Sequence, residues 1–235
     1  MRHGIEIATR FCARGGAWFG AMEARNSVTL ASRNVKKAAE LKALLGADWS
    51  VRSLIDFPGI PDVVEDGATF ADNAVKKARS ISEHLDGMVL ADDSGLEVDA
   101  LNGAPGVLSA RFAGWHGDDA ANNALLLKKL EGLPMDRRGA QFRCVLAIAK
   151  AGGVLFTCEG ICRGRIGFEC RGTAGFGYDP LFLPEWEEKG GVGLGEGRTF
   201  AEISPGEKNE RSHRGLAMRR LRDRLDEMGL GGPRH

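Results

Sequence analysis

Met88-Val89-Leu90-Ala91-Asp92-Asp93-Ser94-Gly95 is the stretch on which the fold turns. The apolar run predicts a short buried strand, and the acidic pair is expected where that strand runs out into a loop. Two adjacent carboxylates near a core repel each other and lose solvation, which raises at least one pKa unless something compensates. A magnesium ion would do so, because it takes one or two carboxylates together with phosphate oxygens. Ser94 would add a hydroxyl, and Gly95 would let the backbone turn. The plainer alternative is an Asx-type turn whose acids face water.

Upstream, Val28-Thr29-Leu30-Ala31 reads as a strand that feeds a helix over 35–45 through Ser32-Arg33-Asn34. Ala38, Leu41, Leu44 and Leu45 recur at helical spacing, Asn34 or Ser32 can cap, and Gly46 stops the helix. A strand-to-helix turn gathers free N–H groups and the positive dipole end, which suits phosphate. Lys36 and Lys37 sit in the first turn, where the dipole disfavours cations, so they hint at a nearby anion. An ordinary capped turn remains the alternative. A strand over 51–55, a loop over 58–61 and Glu65-Asp66 follow. The next helix spans 70–85, with Phe70, Ala74, Ala78, Ile81 and Leu85 in one stripe and Lys77 beside it. Lys77 either snorkels to solvent or serves as an anion ligand.

Downstream, Gly103-Ala104-Pro105-Gly106 is a turn, and residues 109–113 form a short irregular segment. The helix predicted over 120–130 reads as scaffold. Strands over 142–149 and 154–162 form a hairpin through Ala151-Gly152-Gly153. Strands that are parallel early and antiparallel later predict a mixed sheet with helices packed on it. In Gly175-Phe176-Gly177-Tyr178-Asp179-Pro180, glycines flank two rings and an acid follows. An exposed ring can stack on a base at about 1–3 kcal/mol, or it can plug a turn before an edge strand over 181–183. Residues 185–198 read as a glycine-rich loop. Ser204-Pro205-Gly206-Glu207 has capping-box spacing and places Lys208 on a short helix. Ser212 caps the last helix, with His213 and Arg214 in its first turn as planar donors for carbonyl or phosphate oxygens.

The chain has 235 residues, 43% of them hydrophobic, enough for one large or two-lobed globular domain. Lys plus Arg and Asp plus Glu both total 32, so no global field draws the chain to nucleic acid or membrane, and phosphate binding has to be local. No apolar run is long enough to span a bilayer. Cys12, Cys144, Cys158, Cys162 and Cys170 are odd in number and lack zinc-site spacing, which predicts reduced packing residues in a cytoplasmic protein. Residues 1–27 are basic and poor in acids, and they read as a poorly ordered extension outside a domain over 28–230. An organellar leader or an upstream start preceding Met22 would both account for them.

The order Ser32-x-Asn34-x-x-Lys37, Glu65, Thr69-Phe70-x-x-Asn73-Ala74-x-x-Lys77-Ala78, Ala91-Asp92-Asp93-Ser94-Gly95-Leu96, Gly103-Ala104-Pro105-Gly106-x-x-Ser109-Ala110-Arg111, Gly175-Phe176-Gly177-Tyr178-Asp179-Pro180, Lys208 and Ser212-His213-Arg214-Gly215 resembles the inosine triphosphate pyrophosphatase family. The resemblance covers about residues 28–228. It implies an α/β fold, an elongated mixed β-sheet with flanking helices and two lobes around a central cleft, in a homodimer. It also implies hydrolysis of ITP, dITP or XTP to the monophosphate and pyrophosphate with Mg2+. By the same resemblance Asp93 is the general base and a metal ligand, and Glu65 and Asp92 help to hold the metal. Ser32, Arg33, Asn34, Val35, Lys36, Lys37, Lys77 and Ser94 would hold the triphosphate. Phe176, Gly177, Tyr178, Asp179, Lys208, His213 and Arg214 would hold the base. The family usually carries glycine at the position of Arg33, a small residue at Lys36 and lysine at Arg198. Two rival readings are a related pyrophosphatase for other modified nucleotides and a non-catalytic nucleotide-binding regulator.

Overall fold

The computed structural model describes residues 26–188, 191–193 and 197–230. The expected N-terminal extension therefore lies outside the described residues, apart from its last two positions. Strand β1 (Ser27–Leu30) leads into helix α1 (Val35–Leu45), whose Asn34 cap accepts from the N–H groups of Lys36 and Lys37. Strand β2 (Ser50–Ser53) is shorter than the expected 51–55 and passes into a 3-10 turn over Leu54–Asp56. Helix α2 (Phe70–Ser82) opens with a capping box between Thr69 and Asp72 and stops three residues before the expected Leu85.

The largest difference from expectation is strand β3 (Met88–Val98). It does not stop at Ala91 but carries the acidic pair through its middle. The expected turn at Gly95 is therefore extended backbone. Glycine is required there for clearance: a Cβ would lie 2.7 Å from the Gly106 carbonyl oxygen and 2.9 Å from the Phe70 ring. A 3-10 segment over Gly106–Arg111 replaces the irregular stretch and precedes helix α3 (Asp119–Lys129). The long hairpin of β4 (Gly139–Lys150) and β5 (Gly153–Ile166) turns on Ala151 and Gly152, both at positive φ, as a two-residue connection requires. Edge strand β6 (Phe182–Pro184) follows. The expected loop over 185–198 instead includes a small ribbon, β7 (Trp186–Glu188) with β8 (Gly191–Gly193). Helices α4 (Pro205–Arg211) and α5 (His213–Glu227), capped by Ser204 and Ser212, complete the fold.

The main sheet runs β2-β1-β3-β4-β5-β6, parallel on either side of β1 and antiparallel from β3 onward. This is the expected mixed sheet. Side-chain alternation divides its centre between two layers. Leu90, Leu146 and Ile148 pack with Leu41, Leu45, Leu221 and Leu225 of α1 and α5. Val89, Ala91, Val145 and Ala147 face Phe70, Ala74, Ala78 and Ile81 of α2. Further along the same strands, Leu96, Val98, Ala140 and Phe142 build a third cluster with Leu126, Leu130, Phe182 and Phe200. The site lies on β3 between these clusters. Among the described residues no helix is long and apolar enough to cross a membrane.

Candidate active site

Strand geometry resolves the problem of adjacent carboxylates. Successive side chains of β3 point to opposite faces, so Asp92 follows Leu90 toward α1 and α5, whereas Asp93 follows Ala91 toward α2. Asp92 is fully enclosed and saturated. Its Oδ1 accepts from Lys37 Nζ at 2.8 Å and Ser94 Oγ at 3.0 Å, and its Oδ2 accepts from Arg214 Nε at 3.0 Å and Cys144 Sγ at 3.2 Å. Burial alone would raise this carboxyl, but Arg214 and Lys37 override it and hold the group well below the usual carboxylate range.

Asp93 has the opposite surroundings. Its Oδ2 is buried and has no hydrogen-bond partner. Burial, opposed by Lys77 and Lys37 and reinforced by Glu65, pushes its pKa up to about 6. Lys77 Nζ donates to Glu65 Oε1 at 2.8 Å. Burial favours protonation of Glu65, yet Lys77 and Lys37 hold its carboxyl below the ordinary value. Lys77 is itself buried, so of its two sequence readings the inward one is realised.

A third charged group links the two ends of the site. Glu40, on the inner face of α1, accepts from Lys208 Nζ at 2.8 Å and from Arg214 Nη1. Lys208 also bonds Asp179 at 2.7 Å, giving an unbroken alternation Asp179, Lys208, Glu40, Arg214, Asp92, Lys37. Phe176 lies over this chain, 5.1 Å from Lys208 Nζ and 5.6 Å from the Arg214 guanidinium carbon. His213 stacks on Phe142 at 4.7 Å, and its buried Nδ1 is unpartnered. Burial, together with Arg214 and Lys208, pushes the His213 pKa far down, so the ring is neutral.

Two adjoining cavities result. One is lined by Phe176, Gly177, Tyr178, Asp179, Lys208, His213 and Arg214 and is mostly apolar. The other, larger and more polar, is lined by Ser32, Arg33, Asn34, Glu65, Lys77, Asp92 and Asp93. Asn34, Lys37 and Ser94 border both. Most sequence-predicted residues thus converge. Val35 and Lys36 do not: Val35 is exposed, and Lys36 lines a separate hollow beside Ala174 and Pro205. Arg33 reaches the polar cavity, but its guanidinium is engaged by Asp62 and the carbonyls of Leu54 and Ile60. Asp92 borders the cavity with every acceptor position filled.

Sequence reading missed Glu40, although its i,i+3 spacing from Lys37 places both on one helix face. It also treated α3 as scaffold. Asp119 accepts from the Gly177 N–H, and Asn123 donates to the Gly177 carbonyl, both at 2.8 Å, so the start of α3 fixes the aromatic loop. Tyr178 Oη donates to the Ser109 carbonyl at 2.9 Å, so this ring supports the loop. Among the described residues no group of three or more His, Cys, Asp or Glu is arranged to hold a metal. Glu65 and the orphaned Asp93 oxygen form a two-carboxylate set, which fits a magnesium ion that draws its remaining ligands from water and phosphate.

Comparison with known proteins agrees with this geometry. A protein from Desulforamulus reducens named dITP/XTP pyrophosphatase is 51% identical over 203 residues, which cover 86% of this chain and 96% of that one. Another of the same name from Exiguobacterium sibiricum is 48% identical, covering 83% and 94%. A HAM1 protein from Coxiella burnetii has a solved structure that superposes with a TM-score of 0.73 at 39% identity, covering 86% of this chain and 99% of that one. A profile of the Ham1 family matches residues 28–224, and with that span matched, this chain belongs to the Ham1 family.

Proposed function

We infer that the protein hydrolyses dITP, XTP and ITP to the nucleoside monophosphate and pyrophosphate, with a magnesium ion that Glu65 and Asp93 would hold. The observation that carries this reading is the buried, unpartnered Asp93 oxygen in a lysine-lined cavity that adjoins an aromatic one. The relatives' names support the substrate class.

Asp93 takes the proton as water attacks the α-phosphorus in line. The bond from that phosphorus to the bridging oxygen breaks, and pyrophosphate leaves with the electron pair. A base with a pKa near 6 is ionised at neutral pH and still strong enough to accept a proton. Magnesium, when bound, supplies charge neutralisation on the phosphate oxygens. Lys37 and Lys77 add fixed positive charge along the polar cavity. At the other end Phe176 offers a stacking face. In the tautomer protonated at Nδ1, neutral His213 donates to the six-position oxygen of the base. Adenine carries an amino group there and would set donor against donor, which a hydrogen-bonding pocket rejects strongly.

The test is an assay of the purified chain on dITP, XTP, dGTP and dUTP, with and without magnesium, identifying products. Magnesium-dependent dIMP and pyrophosphate from dITP are expected. Preferred cleavage of dUTP would favour the rival pyrophosphatase, and binding without turnover would favour a regulator. The resemblance further leads us to propose a cytoplasmic homodimer, which sedimentation and fractionation would check.

A further inference from the structure

Five residues border both cavities: Asn34, Lys37, Ser94, Ala110 and His116. If the base occupies the aromatic cavity and the phosphates the polar one, this seam holds the segment between them. Of the five, Lys37 and Ser94 are committed to Asp92, and Asn34 caps α1. Ala110 has no polar side chain. His116 is exposed, and among the described residues its imidazole makes no hydrogen bond or ion pair. It also stands on different scaffolding from α1, on the loop between the Gly106–Arg111 segment and α3.

That loop has a defined path. Gly114 and Gly117 flank Trp115-His116 at φ values of 109° and 82°. The Gly114 N–H donates to the Arg111 carbonyl and the Gly117 N–H to the Ala110 carbonyl, so the loop is tied to residues that line the polar cavity. Nothing in the base or metal assignments uses His116.

We propose that His116 is a further substrate-binding residue, whose ring N–H donates to a non-bridging oxygen of the nucleotide's α-phosphate from the loop before α3. This rests on the functional reading above and names a contact that reading lacks. The contact is to an oxygen of the phosphorus under attack and is made in substrate and transition state, so its loss lowers kcat/KM.

The experiment first establishes that the unaltered protein releases pyrophosphate from dITP; failure at that point removes the functional reading itself. With that activity in hand, His116→Ala is expected to lower kcat/KM for dITP about tenfold, as loss of an exposed hydrogen bond to a charged group would. The inhibition constant of dIMP, which keeps the α-phosphate, weakens by the same factor, whereas that of deoxyinosine does not change. His116→Gln, which keeps an N–H donor, restores most of the loss. An unchanged kcat/KM in His116→Ala overturns the proposal. So does an equal loss with deoxyinosine, which would move the contact off the phosphate, or a glutamine variant no better than alanine.

Discussion

Arg214 Nε donates to Asp92 Oδ2 at 3.0 Å between partners 122 residues apart, with side chains 2% and 0% exposed. The pair fastens the start of α5 to the centre of β3. Arg214→Met would leave Asp92 with a buried charge balanced by Lys37 alone, and losing one partner of a buried pair costs about 3–5 kcal/mol. A correspondingly lower urea midpoint at unchanged slope is the expected result. A midpoint within experimental error of the parent would show that the pair contributes little.

Asp93 titrates in the opposite sense. Its carboxyl binds a proton more tightly folded, near 6, than unfolded, near 3.8, so the folded state holds more protons between those values and stability falls as pH rises through the window. Asp93→Asn should therefore raise metal-free stability at pH 8 by about 3 kcal/mol and change it little at pH 4. The same variant should abolish pyrophosphate release while nucleotide binding survives. Thermal melts at both pH values and a turnover assay test the two halves separately.

Activity of the parent should fall as pH drops. A base with a free-enzyme pKa of about 6 predicts that kcat/KM declines tenfold per unit well below pH 6, and that raising magnesium shifts the limb to lower pH. A profile flat down to pH 5 at low magnesium would place the proton acceptor elsewhere.

Lys77→Ala removes a cation from the polar cavity and leaves Glu65 without its 2.8 Å partner. Triphosphate affinity should drop by roughly tenfold or more, and monophosphate affinity much less, since charge-assisted contacts of this kind contribute about 1.5–3 kcal/mol. Calorimetric titrations with ITP and IMP would measure the difference. Equal losses would remove Lys77 from the phosphate set.

The local signals in the chain were legible wherever one element carried its own pattern. Helix α1 matches the expected 35–45 because its cap, apolar spacing and terminal glycine lie within thirteen residues. The mixed sheet followed from the hairpin at Ala151-Gly152 and the earlier strand-to-helix passages. Strand β3 was truncated in the reading because two aspartates oppose a strand by propensity. What sustains them is remote: Arg214 from α5 for one, Lys77 from α2 and Lys37 from α1 for the other. The same limit hid the tie between Asp119 and Gly177, which joins residues 58 positions apart. Val35 and Lys36 were expected at the phosphates by resemblance, but Val35 is exposed and the Lys36 side chain lines a separate hollow, its N–H already donating to Asn34.

Strand β3 pairs with β4 without interruption from Val89 to Val98, so Asp93 sits on a floor that is hydrogen-bonded across its whole length. The walls, a helix start, a glycine-bounded loop and an aromatic turn, are held instead at a few points each. Changes of nucleotide preference can therefore accumulate on the rim while the proton acceptor stays in register, and a search for altered selectivity belongs at Phe176, His213 and the 112–118 loop, leaving the sheet untouched.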